Sequence, residues 1–255
     1  MGVRGAAHQW LTMLFPKIDT PMKILKNGGL GFDTEITGVD PFNDRIVSAS
    51  VVHILNDFSI ARQKSWLINP GVAIPPGASD VHGISNEKVK EEGVAPLGAL
   101  SEIRNWLLSA AKHRIPVCVF NAAFDCTILR HELARYDLPD FSCDDLVILD
   151  PLVLDRHLDR YRKGSRLLAA VTAHYDCELS EEEAHNAYFD AVAAVHIVRA
   201  LSEKFPVPAD HDGPALMNSQ ALWHEVQAAS LEEYMRRSDP QSSCSRGWPF
   251  YAIVN

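Results

Sequence analysis

The chain has 255 residues, of which 47 % are hydrophobic, and this composition suits one sizeable globular domain with a terminal appendage. Its net charge of -9 argues against a protein that coats nucleic acid nonspecifically, but it does not exclude an enzyme that acts on nucleic acid. No run of about 18 apolar residues occurs, so we expect no membrane-spanning segment.

The N-terminal residues 1–27 are mildly apolar and lack a clear small-residue cleavage site, which predicts a loose leader rather than a signal peptide. The five cysteines are scattered, and none forms a C-x-x-C pair. This pattern disfavours a zinc site or a disulfide framework and favours a reducing, cytoplasmic location.

Three strands follow the leader, at 28–37, 44–55 and 61–69, and the breaks between them are rich in turn residues. Short links of this kind predict an antiparallel meander. The next segment, 70–79, is rich in proline and is predicted to be a loop that cannot join a central strand.

Helices and apolar strands alternate along the rest of the chain. Helical periodicity or capping signals mark five segments, and short apolar runs mark two strands. The helices are predicted at 97–113, 122–138, 164–176 (with Ser165 as N-cap), 185–205 and 216–239. The strands are predicted at 115–120 and within 145–154, and the second of them runs on into a helix or turn. This order predicts an α/β fold in which helices cover the faces of a mixed sheet, and an irregular tail follows from residue 240.

Two acids stand on the first strand, in the stretch "FDTEITG". Asp33 and Glu35 are two residues apart, so their side chains point to the same face, roughly 6.5 to 7 Å apart along the backbone. Two interpretations fit this spacing. The strand has a solvated polar face, or the two carboxylates bind a divalent cation.

Two further acids and a histidine occupy positions where a site would form. Asp125 follows a buried strand and sits in the first turn of a helix, where it either caps the helix or reaches a ligand. Asp190 lies in an apolar helical stretch, and a lone acid there is costly unless it is paired or bound to metal. His185 is either an ordinary surface or capping histidine or a general base beside the same site.

Taken together, "FDTEITG", "NAAFD" and "AHNAYFDA" resemble, in order and rough spacing, the three motifs of the DEDDh, or DnaQ-like, family of 3'-to-5' exonucleases. That family includes the proofreading subunits of DNA polymerases. The resemblance covers about residues 28–203 and implies a ribonuclease H-like mixed five-stranded sheet with helices on both faces. The sequence departs from the family pattern at Ile36, where threonine is common, and at Phe189, where a second acid often stands.

The resemblance implies a two-metal hydrolase. Asp33, Glu35, Asp125 and Asp190 would bind two Mg²⁺ ions, with Mn²⁺ as a substitute, and Asp33 would bridge both. His185 would take the proton from the attacking water, so that the product is a nucleoside 5'-monophosphate.

Four residues are predicted to contact the substrate. Thr34 and Ile36 would meet the terminal sugar, whereas Phe124 and His82 would line the base pocket, although Phe124 also fits a core position. A basic cluster follows residue 155, and it either tracks the strand backbone or forms a solvated helix face with interleaved acids. Its members are Arg156, Arg160, Arg162, Lys163 and Arg166.

These expectations divide the chain into a leader at 1–27, an exonuclease domain at 28–206 and a C-terminal helix and tail at 207–255, which either packs on the domain or binds a partner. The leading hypothesis is a 3'-5' exonuclease that acts on single-stranded or frayed DNA ends in proofreading or repair, with a DNA polymerase as a candidate partner. The alternatives are a 3'-5' exoribonuclease that trims RNA ends or short oligoribonucleotides, and a polymerase-associated subunit with a decayed site. The complete set of acids counts against the last. The oligomeric state is left open.

Overall fold

A five-stranded mixed sheet with the strand order β3-β2-β1-β4-β5 organises the chain. The computed structural model describes residues 25–177, 186–205 and 213–252. The strands are β1 (Gly29–Ile36), β2 (Ile46–Ile54), β3 (Ile60–Leu67), β4 (Val117–Cys118) and β5 (Ile148–Leu149). The first three form the predicted antiparallel meander, and β4 and β5 add to β1 in parallel, which confirms the mixed sheet.

The helices of the described residues are α1 (Pro76–His82), α2 (Asn86–Glu92), α3 (Pro96–Lys112), α4 (Ala122–Arg135), α5 (Pro151–Leu158), α6 (Leu168–His174), α7 (Ala187–Lys204) and α8 (Gly213–Met235). Helix α1 begins inside the segment predicted to be a loop, because proline is well tolerated at the first helical position. The N-cap prediction at Ser165 is wrong. Leu167 occupies the N-cap position of α6, and Ser165 instead accepts a hydrogen bond from the Leu167 N–H.

The sheet separates two apolar cores. One lies against α3 and α4 and includes Leu30 and Phe32 of β1 together with Leu100 of α3. The other lies against α7 and includes Val52 of β2 and Val195 of α7. Since successive side chains of a strand point to opposite faces, the even-numbered residues of β1 face α4 and the odd-numbered ones face α7.

Two glycines allow α7 to pack directly on β1. A Cβ at Gly31 would lie 2.0 Å from the carbonyl oxygen of Ala191, and one at Gly29 would lie 3.2 Å from a methyl group of Val195. The helix therefore approaches the strand backbone more closely than any side chain would allow. Asp33 and Glu35 continue the same face of β1, so this packing brings α7 up to them.

The C-terminal helix is tied to the edge of the sheet by one buried side chain. The Gln220 amide accepts a hydrogen bond from the Asp150 N–H at 2.8 Å and donates one to the Ile148 carbonyl at 3.0 Å. The tail packs as well, because Trp248 and Phe250 contact the core beside α4. These contacts favour packing of the C-terminal segment on the domain.

One residue of the predicted leader is part of a core. Leu25, near the end of the predicted leader, is 2 % exposed in the core beside α7, whereas residues 1–24 lie outside the described residues.

Of the helices in the described ranges, none is long and apolar enough to cross a membrane.

Candidate active site

Three carboxylates from two elements meet at one point. Asp33 and Glu35 project from β1, and Asp190 lies in the first turn of α7. Each offers an oxygen within 4.8 Å of the oxygens of the other two. In the described part of the chain, this is the group of acids close enough to share a metal ion.

Burial and repulsion between carboxylates raise the pKa of the two acids on β1. The pKa of Asp33 lies well above its usual value, first because the group is buried and then because Asp125 and Asp190 repel its charge. Burial, followed by repulsion from Asp190 and Asp125, raises the pKa of Glu35 to about 8. A divalent cation would offset this repulsion, and a set of oxygen ligands suits Mg²⁺ better than Zn²⁺.

Asp125 stands beside this group rather than within it. Its Oδ1 accepts hydrogen bonds from the Thr34 N–H at 3.0 Å and from the Thr34 hydroxyl at 2.6 Å. Burial raises the pKa of Asp125 to about 7, while the bonds from Thr34 oppose that rise. Thr34 points to the α4 face of β1 and so fixes the predicted fourth ligand next to Asp33 and Glu35.

A buried acid outside the three motifs fixes the start of α4. Asp150 accepts hydrogen bonds from the backbone N–H groups of Asn121 (3.1 Å) and Ala122 (2.9 Å), and it also caps α5 through the N–H of Leu152. Asn121 adopts a left-handed conformation (φ 62°), which turns the chain sharply from β4 into α4. The sequence interpretation missed this role, although an Asp before a Pro at a helix start is a recognisable capping signal.

A cleft of about 1300 Å³ opens over the acids. It is larger than the roughly 300–1,000 Å³ of typical small-molecule sites, so it has room for more than one nucleotide. The predicted site residues that line it are Asp33, Thr34, Glu35, Phe124, Asp125 and Asp190.

Two predicted site residues lie away from the cleft. Ile36 is 6 % exposed and packs in the core beside α4, while His82 accepts a hydrogen bond from the Ile84 N–H at the end of α1. Neither lines the cleft. His185, the predicted general base, lies outside the described residues.

Two members of the basic cluster, Arg162 and Arg166, belong to a buried network. Asp155, which is 0 % exposed, accepts hydrogen bonds from Arg162 and Arg166, and from the Tyr175 hydroxyl at 2.7 Å. The interpretation of this segment as a solvated face is therefore wrong for Asp155, because local charge spacing does not reveal burial. Arg156 and Arg166 line the cleft.

The C-terminal segment supplies a whole wall of the cleft, which the sequence interpretation did not foresee. The wall includes His224 and Gln227 of α8 and Tyr251 of the tail, whose N–H donates to the Thr127 hydroxyl at 2.9 Å. Nothing in the three motifs signals these residues, since all three motifs lie before residue 192.

Comparisons with known proteins agree with the motifs. The RNase_T family model, described as "Exonuclease", matches residues 30–198. A Rhodobacter capsulatus protein named "DNA polymerase III subunit epsilon-like protein" is 33 % identical over 164 residues, which is 64 % of this chain and 22 % of that protein. The "DNA polymerase III subunit epsilon" of Rickettsia prowazekii is 29 % identical over 172 residues, which is 67 % of this chain and 72 % of that protein.

The fold is similar to that of solved exonuclease structures. A structure of E. coli exonuclease I in complex with a dA16 oligonucleotide aligns with a TM-score of 0.57 and 19 % identity, covering 79 % of this chain and 45 % of that one. The chain thus spans less than half of exonuclease I and about a fifth of the Rhodobacter capsulatus relative.

Proposed function

The chain belongs to the exonuclease family whose DnaQ-like motifs it carries, and we propose that it removes nucleoside 5'-monophosphates from the 3' ends of single-stranded or frayed DNA. The observation that carries the proposal is the group formed by Asp33, Glu35 and Asp190, whose oxygens approach one another within 4.8 Å at the floor of a large cleft. DNA is favoured over RNA because the Rickettsia prowazekii relative is named as a subunit of DNA polymerase III.

The donor set fits divalent cations. In the proposal Asp33, Glu35 and Asp190 would together hold Mg²⁺, and Asp125 would help to hold a second Mg²⁺ ion. Bound ions would supply an activated water and would neutralise charge on the scissile phosphate. Mn²⁺ would substitute, since it also accepts oxygen ligands.

Other side chains would position the reacting groups. Thr34 holds Asp125 through two hydrogen bonds, and Asp150 fixes the turn that leads into α4. His185, five residues before Asp190, would accept the proton of the attacking water, because its ordinary pKa lies near neutrality. Phe124 lines the cleft and would stack against the terminal base.

The names of the relatives also support a place beside a DNA polymerase, with proofreading as the role. This part of the proposal predicts that the protein binds the polymerase subunit of its own organism. Purification of the tagged full chain from its host, followed by identification of stably bound proteins, tests it.

The direction of digestion along the strand and the chemical form of the released nucleotide test the proposed reaction. With Mg²⁺, single-stranded DNA labelled at its 5' end should shorten progressively, and DNA labelled at its 3' end should release labelled mononucleotide at once. Internal cuts or a 3'-monophosphate product would contradict the proposal. A preference for RNA of the same sequence by more than tenfold would replace DNA with RNA as the substrate.

A further inference from the structure

The wall of the cleft formed by α5 and α8 carries polar groups that the protein itself does not satisfy. In the described ranges, three buried side-chain nitrogen or oxygen atoms lack a hydrogen-bond partner, and two of them, His224 Nδ1 and Gln227 Oε1, belong to this wall. Buried polar atoms are normally paired, so two that the protein leaves unpaired on one wall of a cleft are available to a ligand.

One hydrogen bond fixes the side-chain amide of Gln227 and leaves its oxygen free to accept another. Its Nε2 donates a hydrogen bond to the Val153 carbonyl of α5 at 3.0 Å, which links the two helices and leaves Oε1 as an acceptor. The amide therefore has a fixed orientation in the cleft wall.

Arg156, one turn along α5 from Val153, supplies a cation to the same wall. Arg162 and Arg166 of the same segment both pair with Asp155. Arg156 makes no direct ion pair with the described residues, and Asp150 and Asp155 attract it only at longer range. Burial lowers the pKa of His224, Glu225 opposes that shift and Arg156 adds to it, which places the histidine and the guanidinium near each other. A half-buried guanidinium that lacks a carboxylate partner is suited to a phosphate.

The three groups match the chemistry of a nucleotide. Arg156 and His224 can donate to phosphate oxygens, and Gln227 Oε1 can accept from an N–H of a base. They line the same cleft as the acids but belong to other elements, and α8 lies beyond residues 30–198, which match the family. The cleft has room for a second nucleotide beside the one that is removed.

We propose that Arg156, His224 and Gln227 form a second subsite, which binds the phosphodiester and base of the nucleotide next to the terminal one. The inference rests on the proposed exonuclease function and adds that the enzyme recognises a strand rather than an isolated terminal nucleotide. Arg156 would bind the phosphodiester upstream of the scissile one.

A pair of substrates separates this subsite from the reaction centre. A single-stranded oligodeoxynucleotide occupies both subsites, whereas the p-nitrophenyl ester of thymidine 5'-monophosphate has one phosphodiester and reaches only the acids. In the full chain with Mg²⁺, Arg156→Gln should lower kcat/KM for the oligonucleotide about tenfold or more, and the loss should be confined to that substrate. Arg160→Gln is the matched control. Arg160 is the next arginine along the chain, and it is exposed and does not line the cleft.

Salt dependence gives an independent readout. Removal of one phosphate contact to a single strand should reduce the slope of log kcat/KM against log salt concentration by about 0.7 for Arg156→Gln, with no change for Arg160→Gln. His224→Phe, which keeps a ring of similar size, should lose activity on the oligonucleotide about two- to tenfold.

The outcomes distinguish the two proposals. Wild-type protein that cleaves neither substrate would overturn the exonuclease function itself. Wild-type protein that cleaves both, with Arg156→Gln equally active on the oligonucleotide or equally impaired on both substrates, would overturn the second subsite alone. Activity of Arg156→Gln on the ester also shows that this variant is folded.

Discussion

At the residue scale, ionisation of the buried acids of the site lowers the stability of the fold, and a bound metal ion would offset this loss. The pKa of Glu35 is raised to about 8 from its usual 4.5, first by burial and then by Asp190 and Asp125. Between these two values the folded state holds a proton that the unfolded state has lost. The metal-free protein should therefore become less stable as the pH rises through this window.

The variant Glu35→Gln tests whether ionisation of Glu35 destabilises the metal-free protein. The variant cannot ionise at this position, so in a chelator its melting temperature should fall less than that of the wild type between pH 5 and pH 8. Added Mg²⁺ should raise the melting temperature of the wild type more than that of the variant. Glu91→Gln, at an exposed position of α2, serves as the control and should follow the wild type. A wild-type melting temperature that rises from pH 5 to pH 8 in the chelator, with no difference from Glu35→Gln, would contradict this assignment.

Thr34 influences the proposed metal site by positioning the carboxylate of Asp125. Thr34→Val keeps the shape of the side chain but removes the hydroxyl that donates to Asp125 at 2.6 Å, so Asp125 loses one of its two bonds from this residue. We expect kcat to fall about tenfold, measured by release of mononucleotide. Thr34→Ser retains the hydroxyl and should recover most of the activity, and equal rates for the two variants would show that the hydroxyl has no positioning role.

At the element scale, the close contact between α7 and β1 sets the distance between Asp190 and the strand acids. Gly31→Ala would place a methyl group 2.0 Å from the Ala191 carbonyl oxygen, so α7 must move away. The variant should lose about 1–3 kcal/mol of unfolding free energy and should bind Mn²⁺ more weakly. Urea denaturation and metal titration measure the two effects.

Gly98→Ala is the matched control for this prediction. An added Cβ at Gly98, in the first turns of α3, meets nothing within 4 Å, so the change should leave metal binding unaltered and stabilise the protein by up to about 1 kcal/mol. Equal metal affinity in Gly31→Ala and the wild type would mean that the approach of α7 does not control the site.

At the scale of the whole molecule, the C-terminal segment is packed as part of the folded domain. Gln220→Leu would leave the Asp150 N–H and the Ile148 carbonyl without their buried partners. We expect a loss of about 2–4 kcal/mol in unfolding free energy. Asn218→Leu changes an exposed amide of the same helix and should stay within about 0.5 kcal/mol. Equal stability of the two variants would argue against this anchor.

Much of the site could be predicted from local patterns, because its acids lie within short motifs. Asp33 and Glu35 share a face through the period of a strand, and Asp190 stands out as an acid in an apolar helix. The links between distant segments could not be predicted in this way. Gln220 and Asp150 are 70 residues apart. Arg162 and Arg166 pair with Asp155, a carboxylate that also accepts a hydrogen bond from Tyr175, 20 residues farther along the chain. The predicted boundary at residue 206 therefore assigns the acids of the cleft and the C-terminal residues that line it to different segments of the chain.

The most direct test compares two aspartates of the same cleft. Asp190 belongs to the acidic group and Asp176 lines the cleft outside it, where its left-handed backbone (φ 54°) also accepts asparagine. In single-turnover digestion of 5'-labelled single-stranded DNA with Mg²⁺, Asp190→Asn should reduce the rate about a thousandfold, as expected when several kcal/mol of metal stabilisation is lost, while Asp176→Asn stays within about threefold of the wild type. Wild-type activity that needs no divalent metal, or Asp190→Asn that digests DNA as fast as the wild type, would contradict the account.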